Sequence, residues 1–402
     1  MAMTNLIETG SSTARMVAAT LVSLTSLMTP ALALTDIHSI PPTVVWRQSP
    51  QNASDASCRE VVFDDTSTIA IDSKANLYLG SVIGFALWRI SAEGNVQRLL
   101  PIADWGRRSY PEIAVTSVAI DENDRVIVGN EMSHLVGRLR SDGMLVQLAG
   151  RNLRSNDPQV SADGPPGSNQ FANIGPMSVD SSGNIYVVDN GVRKLTRDGT
   201  LSTLPDLGMG LYPVHGKSDG ATASVEISGI AVDGAGNLFA ALVDGEHSDD
   251  WGIIRKVAPS GILTTIAGNA NAHGRHLDGV GHNAQFGVLG GIAIDHSGNL
   301  FVTENSPDMT QGSFPFVRKI DTAGRVSTVF DQTHLTVRYI NRFTQFLAIA
   351  VDPIGRVYVV DTIGRVYRID PDGSVNSPCE PAGYVAPPRS DFHPTNSTSY
   401  GR

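Results

Sequence analysis

The stretch IAIDHSGNLFVTE, Ile292 to Glu304, decides the fold. An apolar β-forming run leads into Asp-x-x-Gly-Asn and a second run of branched and aromatic residues leads out, which is the grammar of a β-hairpin. The Asp carboxylate can bond the turn backbone and the Gly or Asn tolerates positive φ, so the punctuation has a mechanical cause. The pattern recurs as IAIDSKANLYLGS from Ile69, VAIDENDRVIVGN from Val118, MSVDSSGNIYVVD from Met177, IAVDGAGNLFAAL from Ile230 and IAVDPIGRVYVVD from Ile349. The anchoring aspartates are Asp72, Asp121, Asp180, Asp233, Asp295 and Asp352, 49 to 62 residues apart.

A second hairpin follows each copy. Its strands, such as VRKL, IIRKV, FVRKI and RVYRI, lead to turns at Gly94, Gly143, Gly199, Gly261, Gly324 and Gly373, then to strands such as LSTL, LTTIAG or VSTVF. Four strands per repeat, six repeats and no helical periodicity predict an all-β, six-bladed β-propeller.

The repeated IAVDxxGNLYV core followed by V-R-K-I resembles the NHL repeat family. The segment TIAGNANAHGRHLDGVGHNAQFGVLGGIAID, Thr265 to Asp295, resembles the linker common in extracellular and bacterial NHL proteins. Weaker versions carry Asp163-Gly164 and Asp219-Gly220 in place of Asp278-Gly279. Copies one, two and six depart at Ala75, Asp124 and Arg356, which is expected to weaken those blades.

The ends read differently. MVAATLVSLTSLM, residues 16 to 28, follows Arg15 and precedes Ala31-Leu32-Ala33, the pattern of a signal peptide over residues 1–33 with cleavage after Ala33. The apolar run falls short of the roughly 20 residues a membrane span needs, so a soluble, secreted or periplasmic protein is expected. Residues 34–61 include TVVWR at Thr43 to Arg47, a candidate ring-closing strand beside the last blade. The propeller is expected over 62–380, and the Pro/Ser/Thr/Asn-rich tail, 381–402, reads as disordered. The two cysteines, Cys58 and Cys379, flank the repeats; in an exported chain they read as one disulfide closing the ring, with two free thiols as the alternative.

Forty acidic against thirty basic residues, a formal charge of −10 with no clustered cations, argue against a nucleic-acid partner. The fold alone does not choose a function. Strand counting puts the turns within each hairpin on one face and the loops between hairpins, with the linkers between blades, on the other. The distances from anchoring Asp to second-hairpin Gly are 22, 22, 19, 28, 29 and 21 residues, so blades four and five carry the long loops, LVDGEHSDDWG and ENSPDMTQGSFPF.

Long loops on a rigid scaffold are where binding residues concentrate. The binding-face candidates are therefore His247, Asp249, Asp250, Trp251, Phe314 and Phe316, with His273, Arg275, His276 and His282 from the linker between them. Trp105, Tyr110 and Tyr212 are further aromatic candidates. The residue ending the second strand of each copy is Ser81, Asn130, Asp189, Leu242, Glu304 or Asp361. Asn130, Asp189, Glu304 and Asp361 could offer oxygens to Ca²⁺, a loose resemblance to gluconolactonase-like propellers, although no Glu-Gly-Pro segment occurs in the first blade. They could equally bond the backbone where a loop starts. The histidines could serve Zn²⁺, as in propeller lyases of the peptide-amidating kind, without a fixed ligand spacing.

The V-R-K basics, Arg193, Lys194, Arg255, Lys256, Arg318 and Lys319, are expected to alternate outward as a solvated face. No nucleophile elbow or phosphate-cradling motif is present. The expected role is a monomeric binding scaffold for a protein, peptide or glycan. The alternative is a metal-dependent hydrolase or lyase.

Overall fold

The computed structural model describes residues 63, 66–82, 86–100, 114–151, 160–204, 212–213, 222–223, 225–244, 251–270, 276–305, 315–331, 345–362 and 364–376. All belong to one compact unit, Arg47–Arg402. The signal segment 1–33, the candidate strand Thr43–Arg47, Cys58, Cys379 and the tail 381–402 lie outside the described residues, as do Trp105 and Tyr110.

The chain forms a six-bladed β-propeller. Blade 1 is β1 (Thr66–Ile71), β2 (Leu77–Ser81), β3 (Ala86–Ile90) and β4 (Val96–Arg98); blade 2 is β5 (Ser117–Ile120), β6 (Val126–Asn130), β7 (Leu135–Leu139) and β8 (Leu145–Gly150). Blade 3 is β9 (Met177–Val179), β10 (Ile185–Val188), β11 (Val192–Leu195) and β12 (Leu201–Thr203). A small hairpin, β13 (Tyr212–Pro213) and β14 (Thr222–Ala223), precedes blade 4, which is β15 (Val225–Val232), β16 (Leu238–Asp244), β17 (Gly252–Val257) and β18 (Leu263–Gly268). After β19 (Gly279–Val280) comes blade 5, with β20 (Val288–Ile294), β21 (Leu300–Asn305), β22 (Pro315–Ile320) and β23 (Arg325–Phe330). Blade 6 is β24 (Phe346–Val351), β25 (Val357–Asp361), β26 (Val366–Ile369) and β27 (Val375–Asn376).

Each blade is a four-stranded antiparallel meander in chain order, extended in blade 5 by β19 outside β23. The first strands contact one another in sequence, β1 with β5, β9, β15, β20, β24 and back to β1, so they line the axis. Among the described residues the ring closes by blade 6 packing on blade 1, and each blade draws its four strands from one continuous repeat.

Six apolar clusters fill the six seams. Leu79, Ile90 and Phe63 meet Ala350 and Val360 where the ring closes. Phe239, Ile254 and Phe286 meet Leu289 and Val302 between blades 4 and 5. Fully burying such a side chain contributes about 1.5–3 kcal/mol, so the seams hold the ring.

The Asp turns behave as their sequence requires. Asp72 accepts from the Lys74 and Asn76 amides at 3.0 and 2.8 Å and from Asn76 Nδ2 at 2.7 Å, and Asp180, Asp233 and Asp295 repeat the set. In copies two and six, Arg125 Nε and Arg356 Nε replace the Asn amide at 2.6 and 2.5 Å. The departures at Ala75 and Asp124 keep the turn by taking φ of 60° and 58° themselves. Asp124 also reaches blade 1, accepting from Ser73 N at 2.9 Å and Ser73 Oγ at 2.6 Å. Its departure from Gly therefore adds a bond between blades. Glu122 with Arg197 and Ser181 Oγ with Gly234 O (2.9 Å) continue this turn-to-turn bracing across blades 2, 3 and 4. The Asp-turn face is thus latched from blade 1 to blade 4.

Candidate binding site on blade 5

The linker into blade 5 crosses the outer edge of that blade before entering its first strand. β19 pairs with β23, and Leu277 and Gln285 exchange backbone hydrogen bonds as the linker doubles back. This covers the fourth strand, whose edge would otherwise present unpaired amides. The linker Asp278 docks on the blade: its carboxylate accepts from Thr328 N at 3.1 Å and Thr328 Oγ1 at 3.0 Å, and pairs with Arg318 Nη2 at 2.8 Å.

Arg318 projects from β22 into the blade, with its side chain 0% exposed. Its Nη1 meets Glu304 Oε2 at 2.5 Å, and its guanidinium lies 5.2 Å from the Phe286 ring centre. Glu304, at the end of β21, is also fully buried. Its Oε1 accepts from Gly287 N at 2.6 Å and faces His276 Nδ1 at 2.5 Å. Against a carboxylate acceptor, Nδ1 is the protonated ring nitrogen, which leaves Nε2 to act toward a ligand. His276 stacks on Phe316, centroids 4.4 Å apart and planes 20° apart. Nε2 is buried and, among the described residues, has no hydrogen-bond partner. A buried polar atom left in that state is costly, on the order of 1–3 kcal/mol, and points to a group that completes it.

The structure thus brings together three residues expected to serve separate purposes: His276 and Phe316 from the binding face, and Glu304 from the oxygen ring. His282 lies in an exposed 3-10 turn, Gly281–Asn283, with Nδ1 3.3 Å from Gly268 O. His247, Asp249, Asp250, His273, Arg275 and Phe314 lie outside the described residues, and of Tyr212 only its strand is described.

Trp251 requires a correction. It is 2% exposed and packs with Tyr186, Val225, Leu242 and Ile253 between blades 3 and 4, because at the mouth of β17 the seam is deep enough to take an indole. The outward-facing V-R-K expectation also fails in part. Arg193 and Arg318 are buried and ion-paired, because each spans a buried carboxylate of its blade and a half-exposed one on the linker. The neighbouring lysines are half-buried rather than fully solvated, Lys194 over Tyr186, Lys256 over Phe239 and Lys319 over Phe301.

The oxygen ring is taken up by other donors. Asp189 accepts from Ala172 N, Asn173 N and Arg193 Nη1. Asp361 accepts from Arg365 N at 2.8 Å and Tyr367 Oη at 2.9 Å. Burial and that same carboxylate push the Tyr367 phenol well above its ordinary range, so it remains a donor. Asn130 Oδ1 accepts from Ser133 N at 3.3 Å. Among the described residues no three His, Cys, Asp or Glu side chains converge to hold a metal ion.

Arg318 and Gly287 were not among the sequence candidates for the site. A signal for Arg318 existed: the repeats with a linker Asp-Gly, at residues 163, 219 and 278, are those with Arg at the third-strand position that pairs with the third residue of the second strand's core, at 193, 255 and 318. The first, second and sixth repeats put Trp88, Gly137 and Tyr367 there.

No protein-family model matches the chain, and no curated protein matches its sequence. Its fold is shared with solved bacterial structures. A Bacteroides thetaiotaomicron protein of unknown function aligns over 79% of this chain and 72% of its own at 17% identity, with a TM-score of 0.53. An auxiliary nutrient binding protein from the same organism aligns over 76% and 69% at 14% identity, TM-score 0.48. A gluconolactonase from Xanthomonas campestris aligns over 76% and 85% at 13% identity, TM-score 0.46. At these identities the likeness is one of fold. No helix among the described residues is long and apolar enough to cross a membrane.

Proposed function

We propose that this chain is an exported, NHL-type propeller that binds a ligand on the loop face of blade 5. One observation carries the reading: the buried Nε2 of His276, without a partner among the described residues, on a ring fixed by Glu304 on one side and Phe316 on another. A binding site needs a polar atom with spare capacity on a framework that does not move, and here the framework is an ion-paired linker. The export reading rests on the leader-like residues 1–33 and the scaffold reading on the uneven loops of blades 4 and 5.

A thermal-shift screen of peptides, oligosaccharides, Ca²⁺ and Zn²⁺ tests it. A ligand found with the wild-type chain should lose about tenfold or more in affinity in both His276→Ala and Phe316→Ala, the loss of one charge-assisted or stacked contact. Retained affinity in both variants removes the site. The Glu304–His276 pairing also supports a second reading, metal-dependent hydrolysis or elimination, because a carboxylate holding one imidazole nitrogen is how a metal-ligating His is oriented. Zn²⁺ binding that depends on His276 would favour that reading. Peptide or glycan binding unaffected by chelation would favour the scaffold.

A further inference from the structure

A cleft of about 450 Å³ opens at the seam between blades 3 and 4, bounded by the Asp180 turn of one blade and the turns at Gly234–Gly236 and Pro259–Gly261 of the other. That volume lies in the range that accepts a small organic ligand. Tyr186, Leu204, Leu238 and Val257 give it an apolar wall, and Lys194, Ser182 and Ser260 give it a polar one. The fourth strand of blade 3, whose end leads to Leu204, spans three residues, against six in blades 4 and 5.

Charge decides what such a cleft can hold. The Asp180 carboxylate already accepts from Ser182 N, Asn184 N, Asn184 Nδ2 and Tyr186 Oη, which exhausts its four lone-pair sites. Lys194 has its ammonium 5.4 Å from the Tyr186 ring centre and no carboxylate partner among the described residues. Among the described residues the exposed Ser182 and Ser260 hydroxyls have no hydrogen-bond partner and are able to donate. The Asp180 charge remains, but with its acceptor sites filled the open polar contacts of the cleft are one ammonium and two hydroxyl donors beside an apolar wall, which complement a single carboxylate head on an apolar body.

We infer that this cleft binds an amphiphilic carboxylate, its head on Lys194 with Ser182 and Ser260 and its chain against Leu204, Leu238 and Val257. The site is separate from His276, and neither reading depends on the other. Lys256 over Phe239 repeats the stacked lysine one seam further on, at 5.7 Å, and serves as a matched control.

The test is calorimetric titration of the full chain with octanoate, octan-1-ol and octylamine. Saturable octanoate binding is expected, with the alcohol and amine at least about tenfold weaker, the size of one lost charge-assisted contact. Lys194→Met should lower octanoate affinity by about the same factor, while Lys194→Arg, Lys256→Met and His276→Ala retain it. No saturable octanoate binding, equal binding of octan-1-ol, or an equal loss in Lys256→Met would each overturn the proposal. Rescue by Lys194→Arg excludes misfolding as the cause of the Lys194→Met effect, and failure of that rescue counts against the site.

Discussion

Blades 3 and 5 carry the same clasp and complete it differently. In both, a linker carboxylate, Asp163 or Asp278, holds a buried third-strand arginine and the amide and hydroxyl of a fourth-strand threonine. In both, that arginine reaches the buried acid ending the second strand. In blade 3 the acid is Asp189, and two backbone amides, from Ala172 and Asn173, fill its other oxygen. In blade 5 it is the longer Glu304, which takes one backbone amide and one imidazole. The linker residue two before the docking Asp is the exposed Ser161 in blade 3 and His276 in blade 5. Blade 3 is therefore a closed version of the frame. Blade 5 carries the same load with a side chain that has a nitrogen to spare.

The comparison can be broken most severely at the arginines. Removing one partner of a buried pair typically costs about 3–5 kcal/mol, so Arg318→Ala and Arg193→Ala should each destabilise by about that much in chemical denaturation. A near-zero effect at one of them would show that the two clasps are not equivalent. His276→Ala should cost less, about 1.5–3 kcal/mol for a lost hydrogen bond to a charged group, because Glu304 retains Gly287 N and Arg318. The same variant should weaken ligand binding at blade 5 about tenfold or more, so stability and binding separate at this position. Ser161→Ala in blade 3 should change neither.

Acid sharpens the comparison further. Burial pushes the Asp163 carboxyl upward, but the Thr203 amide and Arg193 outweigh it and hold the group below its ordinary value. A carboxylate depressed on folding contributes stability above its unfolded pKa of about 4, and loses that contribution as pH falls through and below it. The stability lost between pH 6 and pH 3 should accordingly be smaller in Asp163→Asn than in the wild type, measured by denaturation at each pH. Because Asp163 is half exposed, solvent screening keeps that difference small. The smallest effects belong to Thr203→Val and Thr328→Val, about 0.5–1.5 kcal/mol each for one hydroxyl hydrogen bond. Matching values would support one clasp used twice.

Much of the scaffold was readable from the chain because its cause is local. Asp72, Asp180 and Asp295 make their bonds within six residues, so a short string announces the turn and six strings announce six blades. The pairing of strands within each blade followed for the same reason. The direction of Arg193 and Arg318 did not. Alternation assigns a face to a strand residue, but the face of a propeller blade is covered by the next blade and by a linker that starts in another repeat. Trp251 failed likewise: a loop-end aromatic reads as exposed until the neighbouring blade is in place.

What the sequence determined by itself was the repeat, its count, the turn chemistry and the face on which the long loops emerge, since each rests on residues a few positions apart. Only the tertiary structure decided that Glu304 belongs with His276, 28 residues away, and with Arg318, 14 away, and that Asp278 closes the group across 40. Those contacts arise from a linker folding back over the blade it leads into, and they depend on a distance in space that no spacing along the chain records.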